Sequence, residues 1–389
     1  MLFVLIFLTS LLVVAFAIPP IITVAFQKRL FDDPVESRKV HKRIVPNFGG
    51  IAIFSGFLFT CSLFIPSALL PEGNILMAAG LILFLTGLKD DIVGLSPTIK
   101  FVAQFTSAII LATAANIRIS NLHGILGLQE LPYTASIILT VFFIVGIVNA
   151  FNLIDGIDGL AGTLAIMVGL IYAFLFFRAG LMGWSYLSIS LTGAMLGFLF
   201  YNVTPAKIFM GDSGSLLLGF VAAVLSIKFL SLTSTAALNL GTFELQSSNG
   251  LVIAILIIPI FDTLRVFTLR ILKNTSPFTA DNNHLHHRLL FLGLSHIQAT
   301  LVLVVCNIVF VILALALQQL GDSQLISLLV LSILLVNGAL SLYIERYKRS
   351  LFTPAEVDEE IKQVFGQSQN SVPEAKEYSK PTFHKISKN

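Results

Sequence analysis

Cysteine is nearly absent. Cys61 and Cys306 are the two in 389 residues, each inside its own apolar run, which excludes a disulfide framework and a cysteine-based zinc cluster. Charge is equally scarce: Asp, Glu, Lys and Arg make up 12% of the chain against 56% apolar residues, a balance that a soluble domain of this length could hardly solvate. A net charge of +3 offers no basic surface of the kind nucleic acid requires, and nucleic acid is not expected as a partner. There is no internal repeat, Walker loop or glycine fingerprint of a nucleotide fold.

What remains is apolar sequence in long runs. Segments of spanning length fall at approximately 2–26, 49–70, 75–88, 98–116, 134–152, 159–178, 185–202, 214–234, 250–269, 297–317 and 323–343, so the expected fold is an all-α polytopic membrane protein of about eleven transmembrane helices in the lipid bilayer. The first segment has no basic residues before it and is too long for the apolar core of a signal peptide. Basic residues follow it instead, which places the N-terminus outside. Alternation from there leaves only Arg118, Arg178 and Lys228 on the outer side, against 13 Lys and Arg facing in before the tail. The C-terminus is therefore expected in the cytoplasm, and the protein in a bacterial inner membrane. Two domains are expected: a transmembrane domain over 1–343 and a polar cytoplasmic tail over 344–389. Within the tail, Thr353–Phe365 (TPAEVDEEIKQVF) begins like a capped helix and the rest has a disordered composition.

Against this background the polar residues stand out, and above all the stretch Asn149–Gly162, NAFNLIDGIDGLAG. A carboxylate at the bilayer centre costs about 2.5–3.5 kcal/mol even on the lenient insertion scale, so acids beside an apolar run mark function by default. On a continuing helix Asn149, Asn152 and Asp155 would share one face. With the topology above, this stretch meets Arg38–Gly50 (RKVHKRIVPNFGG), Lys89–Asp91, Asn202–Ser215 (NVTPAKIFMGDSGS) and Asp262–Arg288 on one side of the membrane. Adjacent Asp90 and Asp91 should raise one another's pKa or recruit a cation, unless they form a structural ion pair with Lys89. Together with Asp212 they form an oxygen-only set suited to Mg²⁺, with Mn²⁺ as a substitute. The loop DNNHLHHR places His284, His286 and His287 beside Arg288. Zinc is one reading of it, but without cysteine and among hard acids, phosphate binding or proton transfer suits it better. Asp262 and Arg265, following Pro259, read either as functional or as an ion pair on a kinked helix. Phe209 could stack on a base or simply pack. Acids with a metal, basic groups for phosphate and an aromatic platform describe a nucleoside-diphosphate site at a membrane surface. A transporter would place its acids near the midplane, on repeated broken helices. An intramembrane aspartyl protease would need a dyad and no histidine loop.

The blocks DPVESRKVHKRIVPNFGG, LKDDIVGLSPTIKF, NAFNLIDGIDGLAG, YNVTPAKIFMGDSGS and HLHHRL resemble those of the polyprenyl-phosphate N-acetylhexosamine-1-phosphate transferases. The resemblance implies transfer of a sugar-1-phosphate from a UDP-sugar to polyprenyl phosphate, with Mg²⁺, releasing UMP and starting a cell-envelope polysaccharide. It implies a catalytic set of Asp90, Asp91 and His287, one of the paired acids serving as base towards the lipid phosphate, and a metal set of Asp212 and Asp155. For substrate it implies Asn152, Asp158, Asn202, Phe209, His284, His286 and Arg288, with Lys39 and His41 of the first block. Many relatives carry a third acid where this chain has Gly94, which weakens any metal scheme that needs it. The spelling HLHHR is that of the GlcNAc branch, not of the phospho-MurNAc-pentapeptide transferases. A second copy of the chain, as homodimer partner, is also among the expectations.

Overall fold

The computed structural model describes residues 1–30, 45–233, 238–239, 244–274 and 283–351. Lys39, His41 and the tail helix expected at 353–365 lie outside the described residues. The chain divides into two compact units, Met1–Leu335 and Val336–Asn389.

The protein is helical. Its elements are α1 (Leu2–Gln27), α2 (Gly49–Phe64), α3 (Gly73–Val93), α4 (Pro97–Ala114), α5 (Tyr133–Ile154), α6 (Leu160–Arg178), α7 (Met182–Asn202), α8 (Gly211–Thr233), α9 (Ser248–Ile255), α10 (Ile257–Leu272), α11 (Leu285–Phe291), α12 (His296–Ala316) and α13 (Asp322–Leu351). The described β-structure is a two-residue antiparallel pairing of Leu238–Asn239 with Glu244–Leu245 and an isolated bridge between Asn121 and Glu130. Each of the eleven apolar segments contains a helix, although α2 ends at Phe64 where 49–70 was expected. By length and composition eight described helices can cross a membrane, and nine if α9 and α10 count as one broken span. The segment expected as one helix over 250–269 thus differs from expectation: it is bent by 74° between α9 and α10.

Local chemistry explains several boundaries. Pro97 opens α4 at a position whose N–H needs no partner. Ser295 and Gln298 close a reciprocal capping box at the start of α12, each side chain accepting the other's backbone N–H at 3.3 and 2.9 Å. In α7, Gly193 and Gly197 form a GxxxG pair against α1. A Cβ at these positions would meet the carbonyl oxygens of Phe7 and Leu11 at 2.4 and 2.5 Å, so only glycine permits this approach.

The core is centred on α8. Of its apolar window 83% is buried within the protein, against 22% for α1 and 17% for α13, which makes α8 the inner helix of the bundle. α8 packs on α3, α5 and α2. Its first turn carries Asp212, so the most enclosed helix presents an acid at its end.

Candidate functional site

The start of α8 leaves backbone N–H groups without intrahelical partners, and Asp91 at the end of α3 supplies the acceptors. Its Oδ1 accepts from the Asp212 amide at 2.7 Å and its Oδ2 from the Ser213 amide at 3.0 Å. A carboxylate there also suits the positive end of the helix dipole. Gly211, at φ +72°, turns the chain into α8 in a conformation that side chains disfavour. The Pro46–Gly50 stretch is laced to the same turn: Phe209 N–H donates to the Pro46 carbonyl, Gly49 N–H to that of Phe209 and Gly50 N–H to that of Met210, at 2.9, 2.9 and 2.8 Å.

Asp212 itself faces Lys100 and Asn152. Lys100 Nζ stands 2.5 Å from Asp212 Oδ2 and 2.7 Å from Asp90 Oδ2, and Asn152 Nδ2 donates to Asp212 Oδ1 at 3.0 Å and to Ser215 Oγ at 2.9 Å. The cation recruited by the paired acids is therefore Lys100, not Lys89. Asp90 Oδ1 also accepts the Leu95 amide at 2.7 Å, across a turn in which Gly94 adopts φ +68°. Gly94, the position to which the resemblance gave a third acid, is held in the left-handed region, which favours glycine.

Asp212, Asn152 and Ser215 border a cavity of about 280 Å³ that is also lined by Asn47, Asp155, Asp158, Asn202 and Phe209 among others. α5 ends at Ile154 and Asp155 follows as its C-cap, so the helix does not continue through the motif. The expectation of one shared face is corrected accordingly. Asn149 donates to Gln104 Oε1 and to the Val145 carbonyl, both at 2.7 Å, and lines a separate apolar groove of about 450 Å³. Asp155 keeps its carboxyl well above the usual range, first through burial and then through the negative charges of Asp212, Asp91 and Asp158.

Asn202 and Asp158 are engaged with backbone. Asn202 Oδ1 accepts from the Gly159 amide at 2.8 Å and its Nδ2 donates to the Ile208 carbonyl at 3.0 Å. Asp158 Oδ2 accepts the Ala206 amide at 3.2 Å, and its Oδ1 lies 3.4 Å from His296 Nδ1. Both residues thus brace the turn that carries half-exposed Phe209.

The histidine loop joins the same region. Asp262 of α10 accepts from His284 Nδ1 at 2.9 Å and from the Leu285 amide at 2.8 Å, and Arg265 donates to the Asn283 carbonyl at 2.6 Å. The Asp262–Arg265 spacing therefore serves the loop, and Asp262 bears on the site through His284. His286 is 1% exposed and packs on Gly156 so closely that a Cβ there would meet its Nε2 at 2.3 Å. Burial, then His287, pushes its pKa down to about 3, so it is neutral at physiological pH. His287 is half-exposed. Arg288, lowered to about 10 by burial and then by Arg265, keeps its charge. One consequence is measurable. A buried histidine that resists protonation makes the folded protein lose stability as pH falls below the unfolded value near 6.5 towards about 3. His286→Gln should flatten that part of a melting-temperature profile; an unchanged acid slope would contradict the assignment.

Asp155, raised by burial and then by the charges of Asp212, Asp91 and Asp158, marks an environment that a divalent cation would relieve, and the hard oxygens of these acids fit Mg²⁺. Among the described residues no three His, Cys, Asp or Glu side chains converge as a ready-made metal cage; Lys100 bridges two of the acids instead. Sequence reasoning assigned no role to Lys100, Ser215, Asn47 or His296. Lys100 had one visible signal, as a lone cation in an apolar helix.

The glycosyl transferase family 4 model matches residues 74–230, which span α3 to α8. A probable undecaprenyl-phosphate N-acetylglucosaminyl 1-phosphate transferase of Bacillus subtilis is 37% identical over 80% of this chain and 84% of its own length. The decaprenyl-phosphate N-acetylglucosaminephosphotransferase of Mycobacterium tuberculosis H37Rv is 36% identical over 76% and 78%. An undecaprenyl-phosphate α-N-acetylglucosaminyl 1-phosphate transferase of Escherichia coli K12 is 29% identical over 71% and 73%.

Proposed function

This chain belongs to glycosyl transferase family 4, and we propose that it transfers N-acetylglucosamine-1-phosphate from UDP-N-acetylglucosamine to a polyprenyl phosphate. A lipid-phosphate oxygen would attack the sugar-bearing phosphorus, the bond from that phosphorus to the bridging oxygen would break, and UMP would leave with that oxygen. The observation that carries the reading is the sharing of α5 by two unlike cavities. Asn152 lines the polar one and Asn149, one helical turn earlier, lines the apolar groove between α4, α5 and α10. A substrate with an anionic head and a long apolar tail fits that pairing, and the groove, walled by Phe101, Phe105, Phe142 and Phe267, suits the prenyl chain.

The chemistry joins two anions, so neutralisation and positioning dominate it. Lys100 sets a positive charge between Asp90 and Asp212, and Asn152 fixes the orientation of Asp212. His287 and Arg288 bring hydrogen-bond donors for phosphate oxygens, and Phe209 offers a flat face at the cavity for the uracil. Asp212 and Asp155 are the residues that would hold Mg²⁺, which when bound supplies charge neutralisation of the diphosphate. The excess of Lys and Arg on this side supports a cytoplasmic position for this end of the bundle, and the bacterial relatives support an inner membrane as its setting. The names of the relatives favour GlcNAc over MurNAc-pentapeptide as the transferred group. Detergent-purified protein given polyprenyl phosphate should release UMP with UDP-N-acetylglucosamine. Release only with UDP-MurNAc-pentapeptide, or with no UDP-sugar, would overturn the proposal.

A further inference from the structure

The bend between α9 and α10 breaks the backbone ladder in the middle of a buried region. Pro259 has no N–H, so the Ile255 carbonyl four residues earlier has no donor in its own helix. Nearby stand the Ile258 amide, which has no backbone acceptor among the described residues, and the Ala254 carbonyl, reached only by the cap N–H of Leu256. Inside a membrane each such orphan costs several kcal/mol unless the protein supplies a partner. One side chain meets all three. Asn307, 0% exposed in the middle of α12, donates through Nδ2 to the Ala254 and Ile255 carbonyls at 3.0 and 3.2 Å, and its Oδ1 lies 3.4 Å from the Ile258 nitrogen. An amide has both a donor and an acceptor in one plane, which is what an opened helix turn requires.

We infer that Asn307 is a positioning residue that sets the angle of α10, and through it the width of the apolar groove and the placement of the histidine loop. α10 contributes Ile260, Thr263, Leu264 and Phe267 to the groove, and its Asp262 holds His284 and the Leu285 amide. The polar cavity, by contrast, takes no residue from α9, α10 or α12. Loss of the amide should therefore disturb the lipid side of the reaction more than the nucleotide side. The lipid half of this inference rests on the polyprenyl-phosphate reading above; the angle of α10 does not.

The test uses the full chain with Cys61→Ala and Cys306→Ala, spin-labelled at exposed Leu139 on α5 and Thr268 on α10. In Asn307→Leu, of similar volume but unable to bridge, the label-to-label distance should shift. In the unlabelled variant the KM for polyprenyl phosphate should rise by about tenfold, and that for UDP-N-acetylglucosamine by clearly less, through the histidine loop alone. Asn307→Gln, which keeps both functions of the amide, should restore most of both readouts. If Asn307→Leu does not fold, Asn307→Ser is read in the same way, with a smaller shift expected. An unchanged distance in the Leu variant, or in Ser where Leu does not fold, overturns the positioning role. A shifted distance with an unchanged KM for the lipid upholds the angle and overturns the assignment of the groove to the prenyl chain.

Discussion

Asp212→Asn should reduce UMP release by roughly 10³-fold or more while leaving the protein folded. The carboxylate is bonded to both Lys100 and Asn152 and sits at the head of the most buried helix, so its charge has been placed at a cost the fold does not otherwise require. Removing it also relieves Asp155, whose carboxyl is raised in part by that neighbouring charge. The melting temperature should therefore hold or rise as activity is lost, the pattern of a group kept for chemistry and not for stability. A chelator should silence the wild type in the same assay, and added Mg²⁺ or Mn²⁺ should restore it. Full activity of Asp212→Asn at saturating Mg²⁺ would remove Asp212 from the metal set.

The paired acids should fail in different ways. Asp91 spends both oxygens on the amides of Asp212 and Ser213. In Asp91→Asn one of those amides would face an NH₂ group, leaving a donor unsatisfied at about 1–3 kcal/mol. That variant should melt lower and lose activity together, because the start of α8 and the position of Asp212 depend on the same contact. Asp90 spends one oxygen on Leu95 and the other on Lys100, a long flexible cation that can follow a substrate phosphate. Asp90→Asn can keep the Leu95 contact through its remaining oxygen. It should stay folded while kcat falls by about 10²–10⁴-fold if Asp90 is the base. Equal loss of stability in the two variants, or full turnover of Asp90→Asn, would reverse these roles.

The acids were legible in the chain because carboxylates are conspicuous where apolar residues prevail, and the spacing of the blocks told which loops belong together. Asp90, Asp91, Asn152, Asp155, Asp158, Asn202, Phe209 and Asp212 are brought together, with His286 against Gly156. What the chain did not disclose was the partner of each group. Lys100 pairs with acids both before it and far after it in sequence, and a lone lysine in an apolar helix has no pattern to announce that. Asp155 would share the face of Asn149 and Asn152 only on a helix that continues, whereas α5 stops at Ile154. Burial leaves His286 neutral, with one ring N–H to donate in place of a positive charge, and that burial was not legible in the chain. Pro259 signalled a kink, but the 74° bend and its partner Asn307 belong to tertiary structure. The eleven apolar segments were readable from hydropathy alone, since each must satisfy its own backbone as a helix.

The central claim is that the phosphate travels with the sugar, and the fate of the phosphorus tests it most directly. Purified protein would be given UDP-N-acetylglucosamine carrying radioactive phosphorus at the sugar-linked phosphate only, together with polyprenyl phosphate and Mg²⁺. The account predicts that the label enters the lipid fraction in step with GlcNAc while unlabelled UMP is released in equal amount. Label left in water as UDP, with GlcNAc alone in the lipid, would show glycosyl transfer in place of phosphosugar transfer and would contradict it.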